Sequence, residues 1–191
     1  SLEAAEKGKA YSARLLDKKV ARGHLSAEKR DAFLARIVPS VSEADFEGCD
    51  LIIEAVFEDR ALKGKVTAEA EKHALADAVV ASNTSTLPIT GLAQAVARPE
   101  KFIGLHFFSP AHIMRLLEIV RGAQTAPAVL EAALALGERM GKVSVVAGNC
   151  HGFIGNRMLE PYATEARLML LEGALPYQVD RALQAFGFAM G

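Results

Sequence analysis

KFIGLHFFSPAHIMRLLEIVR, Lys101–Arg121, is the stretch whose reading decides both fold and chemistry. Phe102–Phe107 reads as a strand, Pro110 opens a turn region, and Arg115–Val120 reads as a second strand. Apolar runs of this kind bury most of their side chains, yet each holds one ionisable group, His106 in the first and Glu118 in the second. An unpaired buried charge is costly, so the economical solution is that the two meet. An antiparallel pair centred near His112 sets residues 106 and 118 opposite each other across the ladder. A histidine oriented by a carboxylate is a general acid/base.

Upstream of this pair, helix and strand alternate. Leu2–Gly23 carries apolar residues at helical spacing and ends on a glycine stop. Ser26 is placed to cap a second helix running to about Ala35, and Ile37-Val38, closed by Pro39, reads as a short strand. Asp50–Val56, DLIIEAV, is a run of β-formers broken by Glu54, the pattern of a strand buried on both faces of a parallel sheet. A helix over Ala61–Leu75, a strand over Val79–Ser82 and a helix over Ile89–Val96 follow. The cluster SNTST, Ser82–Thr86, has two readings: a ligand-binding edge at the end of a parallel strand, or an N-cap for the next helix.

This alternation predicts βαβ units and a mostly parallel α/β sheet, with Arg115–Val120 added antiparallel because its connection is too short for a crossover. Ala126–Gly141 reads as an amphipathic helix and Val143–Ala147 as the final strand. Beyond Gly148 only helix is expected, over Phe153–Glu172 and Pro176–Phe186, so a domain boundary is placed there: residues 1–147, then a helical domain over 148–191. Asn156 and Arg157, just after a glycine hinge, suit either a cleft or a packing role.

Composition excludes several classes of function. Among 191 residues, 22 basic and 23 acidic side chains leave no excess that would favour nucleic acid or a membrane surface. No apolar run is long enough to span a bilayer. Two cysteines, Cys49 and Cys150, without a CxxC pattern fit a reducing compartment and leave open one long-range disulfide. His24, His73, His112 and His151 have no metal-ligand spacing, so no metal site is expected. The basic cluster Lys18, Lys19, Arg22 is either a solvated face or an anion contact. Both ends, Ser1 and Ala189-Met190-Gly191, read as cut from something longer.

Taken in order, DLIIEAVFED (50–59), ASNTSTLPI (81–89), GLHFFSPAHIMRLLEIV (104–120), GKVSVV (141–146) and GFIGNRML (152–159) resemble the L-3-hydroxyacyl-CoA dehydrogenase family. The likeness is greatest to the dehydrogenase part of multifunctional fatty-acid β-oxidation proteins. CHGFIGNRML followed by EGALPYQVDRALQAFGFAMG is similar to the peroxisomal type and its bacterial relatives. The resemblance implies a Rossmann-type NAD domain, then a helical domain that closes over substrate and often dimerises. It also implies NAD-dependent oxidation of the 3-hydroxyl of an acyl-CoA. By motif, His106 matches the catalytic base, Glu118 the acid that orients it, Ser85 a residue beside nicotinamide and substrate, and Asn156 one that holds the acyl group. Glu58 and Lys63 match residues lining the NAD site, and Ser12 and Lys19 match positions that contact CoA.

Two departures stand out. Ser109 occupies the place of the family's Asn in HFFNP; serine is shorter and offers one donor rather than an amide, which weakens a contact to cofactor or substrate or routes it through water. No G-x-G-x-x-G occurs, so the chain reads as an internal piece lacking the first βαβ unit and most of the helical domain, and the piece alone is expected to bind NAD poorly and be inactive. The expected setting is a bacterial cytoplasm or a peroxisome, not secretion, with a homodimer or a β-oxidation complex built through the helical domain. The alternatives are a stand-alone 3-hydroxybutyryl-CoA dehydrogenase and a non-catalytic relative that keeps the fold for binding or structure.

Overall fold

Short apolar runs separated by helical segments produce, in a computed structural model that describes residues 1–188, a mixed five-stranded sheet flanked by helices. The chain divides into two compact units, Ser1–Glu47 and the remainder from Gly48. The last residues of the family-like tail, Ala189-Met190-Gly191, lie outside the described residues.

The first unit is helical. Helix α1 (Leu2–Ala21) is capped by Ser1 and closed by Gly23, whose φ of 72° lets the N–H groups of Gly23 and His24 return to the carbonyls of Val20 and Lys19. Ser26 caps α2 (Ala27–Ala35) by accepting the Lys29 N–H at 3.2 Å. Arg30 then bridges back to Asp17 at 2.9 Å. The expected strand at Ile37-Val38 does not form. The Ile37 N–H still bonds the Leu34 carbonyl at the end of α2, and Val38 stays 78% exposed. Two residues stopped by a proline offer too little ladder to compete.

The second unit carries the sheet, in the order β1 (Leu51–Glu54), β2 (Val79–Ser82), β3 (Phe102–Phe107), β4 (Leu116–Val120) and β5 (Val143–Ala147). Helix α3 (Arg60–His73) links β1 to β2, and a short α4 (Ile89–Leu92), continued by a 3-10 turn over Ala93–Ala95, links β2 to β3. Both crossovers give parallel pairs; β4 returns antiparallel, and α5 (Pro127–Arg139) leads to β5 parallel to β4. The chain ends in α6 (Gly155–Leu171) and α7 (Pro176–Phe186).

Period-two alternation sorts the core into two layers. Val80, Phe102 and Val120 pack with Ile89, Leu92 and Phe153 on one face; Ala81, Ile103, Leu105, Leu117 and Ile119 pack with Val129 and Ala133 of α5 on the other. β1 departs from the expectation of burial on both faces: Ile52 and Glu54 are buried while Ile53 is exposed. It lies at the edge of the sheet, with α3 against it, and Ile53 keeps 40% of its surface exposed. No disulfide joins Cys49 and Cys150, and no helix among the described residues is long and apolar enough to cross a membrane.

Gly104 faces the first layer, where an added Cβ would lie 2.8 Å from Ile89 and from Val120. Gly104→Ala therefore overpacks the core between β3, β4 and α4, and is expected to destabilise the fold by about 1–3 kcal/mol. Urea unfolding checks this as a lowered midpoint with an unchanged slope.

Candidate active site

The β3–β4 register sets His106 opposite Glu118, and parity puts both on the layer shared by Phe102, Val120 and Phe153. His106 Nδ1 lies 2.6 Å from Glu118 Oε2. The pair is deeply placed, His106 at 6% and Glu118 at 0% exposure. A carboxylate can only accept here, so Nδ1 carries the shared proton, and in the neutral imidazole Nε2 is then the acceptor. The other oxygen, Glu118 Oε1, accepts the N–H of Ile154 at 3.1 Å and of Gly155 at 2.6 Å, where α6 begins. The rings of Phe108 and Phe153 flank the imidazole at centroid distances of 4.4 and 5.8 Å. The pair was legible in the sequence; the two amides and the two aromatic walls were not.

A second network closes the C-terminal ends of β1 and β2. Lys63, in the first turn of α3 and 1% exposed, directs its ammonium at Glu54 (3.0 and 3.3 Å), the Val56 carbonyl (3.0 Å) and Glu58 Oε2 (3.2 Å). Glu54 is further satisfied by the Ser82 hydroxyl at 2.7 Å and the Val56 N–H at 2.5 Å. The buried cation is thus matched by a buried anion, as a low-polarity site requires. Glu54 had been visible only as an interruption in an apolar run. The argument that paired His106 with Glu118 applies to it equally, and Lys63, nine residues on, is its partner.

Glu58 Oε1 gathers the SNTST loop. It accepts from the Thr84 hydroxyl (2.5 Å), the Ser85 N–H (3.0 Å) and hydroxyl (3.3 Å), and the Thr86 N–H and hydroxyl (both 3.2 Å). Partial burial pushes the Glu58 carboxyl upward, but the Thr84 hydroxyl, the Ser85 N–H and the Lys63 ammonium outweigh it and hold the group at about 2, against an ordinary 4.5. The helix-cap reading of SNTST gives way to this one. Helix α4 has Pro88 at its N-cap and no side-chain cap, and the Thr84 hydroxyl instead accepts the Leu87 N–H at 3.0 Å inside the loop.

Asn156 joins the two networks by donating its amide N–H to the Ser85 carbonyl at 3.2 Å. Residues 154–156 therefore touch both Glu118 and the SNTST loop. Asn83, one residue past β2, donates its N–H to the Glu54 carbonyl and accepts the Phe107 N–H, both at 2.8 Å, holding three strand ends together. Ser109 is exposed in the turn after β3, at a cis bond to Pro110. Ser12, half-buried, and Lys19, exposed, lie on α1 in the other compact unit.

Residues 1–150 match the family described as 3-hydroxyacyl-CoA dehydrogenase, NAD binding domain, and residues 152–191 its C-terminal domain. The chain belongs to the 3-hydroxyacyl-CoA dehydrogenase family. It is 51% identical over 152 residues to the peroxisomal bifunctional enzyme of Danio rerio, covering 80% of this chain and 21% of that protein. It is 42% identical over 177 residues to the fatty acid oxidation complex subunit alpha of Acinetobacter baylyi, covering 93% and 25%. The (S)-3-hydroxybutyryl-CoA dehydrogenase structure from Ralstonia eutropha superposes on the whole chain and 68% of its own, with a TM-score of 0.96 at 36% identity. The chain thus spans about a fifth to a quarter of the length of these curated relatives.

The family's cofactor is NAD, and the donors at the strand ends fit one end of it. Glu58, with 34% of its side chain exposed, offers an anionic edge suited to a ribose hydroxyl, and half-buried Ser85 lies against it. Lys63 is the enclosed partner of Glu58. The glycine turn that would receive a pyrophosphate is not among the 191 residues.

Because Glu58 is held below its ordinary value, its contribution to stability is fully present above about pH 4.5 and is lost as pH falls towards about 2. Glu58→Gln is expected to cost about 1 kcal/mol at pH 7, allowing for solvent screening, with the gap to wild type closing below pH 4.5. Urea unfolding of both proteins at a series of pH values measures this.

Proposed function

We propose that this chain supplies the catalytic pair and part of the NAD site of an enzyme that oxidises L-3-hydroxyacyl-CoA to 3-oxoacyl-CoA in fatty-acid β-oxidation. The observation that carries the reading is the 2.6 Å contact between His106 Nδ1 and a fully buried Glu118 carboxylate. A packing role does not need an acid–imidazole pair walled by two aromatic rings. The names of the relatives, a peroxisomal bifunctional enzyme and a bacterial fatty acid oxidation complex subunit, support the pathway and a peroxisomal or bacterial setting.

When bound, NAD would supply the acceptor for the C3 hydride. His106 Nε2 takes the proton of the 3-hydroxyl as that hydride departs. Glu118 fixes the tautomer through Nδ1–H and stabilises the imidazolium that forms. Ser85, with its hydroxyl turned to Glu58, and Asn156, with its amide already bonded to the Ser85 carbonyl, hold the reacting oxygens from the loop and from α6. Glu58, supported by Lys63, would help hold NAD, and Ser109 would border the cofactor or substrate. By the family resemblance, Ser12 and Lys19 are assigned to contact with CoA. Residues 1–147 form the NAD-binding part, and the segment from 148 opens a helical part through which a homodimer or multienzyme complex assembles.

The test is NADH formation by the full-length gene product with L-3-hydroxybutyryl-CoA and a longer homologue. His106→Ala is expected to lower kcat by about 10²–10⁴-fold while NAD binding persists. A folded, NAD-binding wild type that oxidises neither substrate would refute the reading.

A further inference from the structure

Glu118 is fully buried, so both of its oxygens must find donors within the protein. One faces His106; the other is met only where α6 starts, by the N–H groups of Ile154 and Gly155. The backbone before them is unusual. Gly152 has a φ of 67° and Phe153, not a glycine, a φ of 50°. A buried aromatic residue in the left-handed region is strained, and such strain persists only where the surroundings enforce it. Here it lets the chain bury the Phe153 ring beside His106 and still present the next two N–H groups to the carboxylate.

We propose that Gly155 is a positioning residue for the His106–Glu118 pair, because only a residue without a side chain lets the start of α6 reach Glu118 while Phe108 stays on the imidazole. A Cβ at 155 would lie 2.9 Å from Phe108 Cζ and 3.2 Å from its Cε1, with Glu118 Oε1 at 3.5 Å. Gly155 is not among the residues with positive φ, so alanine meets no backbone objection and the constraint is the contact alone. To relieve it, either the Phe108 ring leaves its place 4.4 Å from His106, or the N–H groups leave Glu118. Both routes end at the base.

This inference rests on the dehydrogenase reading for its kinetic arm and on the geometry alone for its spectroscopic arm. In the full-length protein, Gly155→Ala is expected to lower kcat roughly 100-fold while KM for NAD stays within about twofold. The Nδ1–H proton of His106, followed in histidine-labelled protein and assigned by its loss in His106→Gln, should move upfield from its wild-type position as the pair loosens. Adding Phe108→Leu removes the ring atoms that the new methyl strikes. The double variant should therefore fold and recover most of the kcat lost by Gly155→Ala, measured against Phe108→Leu alone. Wild-type kcat and an unmoved Nδ1–H in Gly155→Ala would overturn the proposal, as would an equal kcat loss in both Phe108 backgrounds. If wild type proves inactive, the dehydrogenase reading fails, and the Nδ1–H position in the two variants decides the positioning role by itself.

Discussion

A carboxylate with no exposure to water is the demand around which the second unit is arranged. Removing such a group from solvent costs several kcal/mol unless donors surround it. Glu118 gathers an imidazole from β3 and two backbone N–H groups from the approach to α6. The β3–β4 ladder, the turn through Gly152 and Phe153, and the first residues of α6 are tied to one another through this acid. Its electrostatic need is met by the same contacts that orient the His106 imidazole.

The ends of β1 and β2 repeat the strategy with different parts. Glu54 neutralises Lys63 inside the fold, Lys63 steadies Glu58, and Glu58 collects the hydroxyl and N–H groups of the SNTST loop. A loop of small polar residues has little apolar surface with which to hold itself, so its conformation is set by one acceptor. The two acids differ in access. Glu118 is sealed, whereas Glu58 keeps an exposed edge. The sealed acid is suited to orienting a neighbour, and the open one to meeting a ligand.

Much of this was legible in the chain because local rules and tertiary structure agree. Apolar strands, glycine stops and the spacing about His112 were enough to place β3, β4 and the 106–118 pairing. Ile37-Val38 misled because β-propensity says nothing about whether a partner strand is at hand. SNTST left two readings open because Ser, Asn and Thr serve as helix caps and as loop donors alike, and the acceptor, Glu58, lies more than twenty residues away in sequence. The amides of Ile154 and Gly155 left no mark at all, since backbone N–H groups are common to every residue but proline. Gly155 stands within GFIGNRML, but its closeness to Phe108 exists only once the end of β3 and the start of α6 are brought together.

The register of the β3–β4 ladder has a consequence for how such a protein can vary over time. Side chains alternate between the two layers, so His106 and Glu118 share a face only while each keeps its parity with Phe102 and Val120. Inserting or deleting one residue within either strand would turn an acid or an imidazole into the α5 layer and bring an aliphatic residue into the site. Past Phe108, which must keep its place on the imidazole, the turn over residues 110–114 lies outside the paired segment and carries no such parity. Length change is therefore tolerable in that turn and ruinous a few residues to either side, which makes the strands records of descent that exchange of residues can edit but shifts of frame cannot.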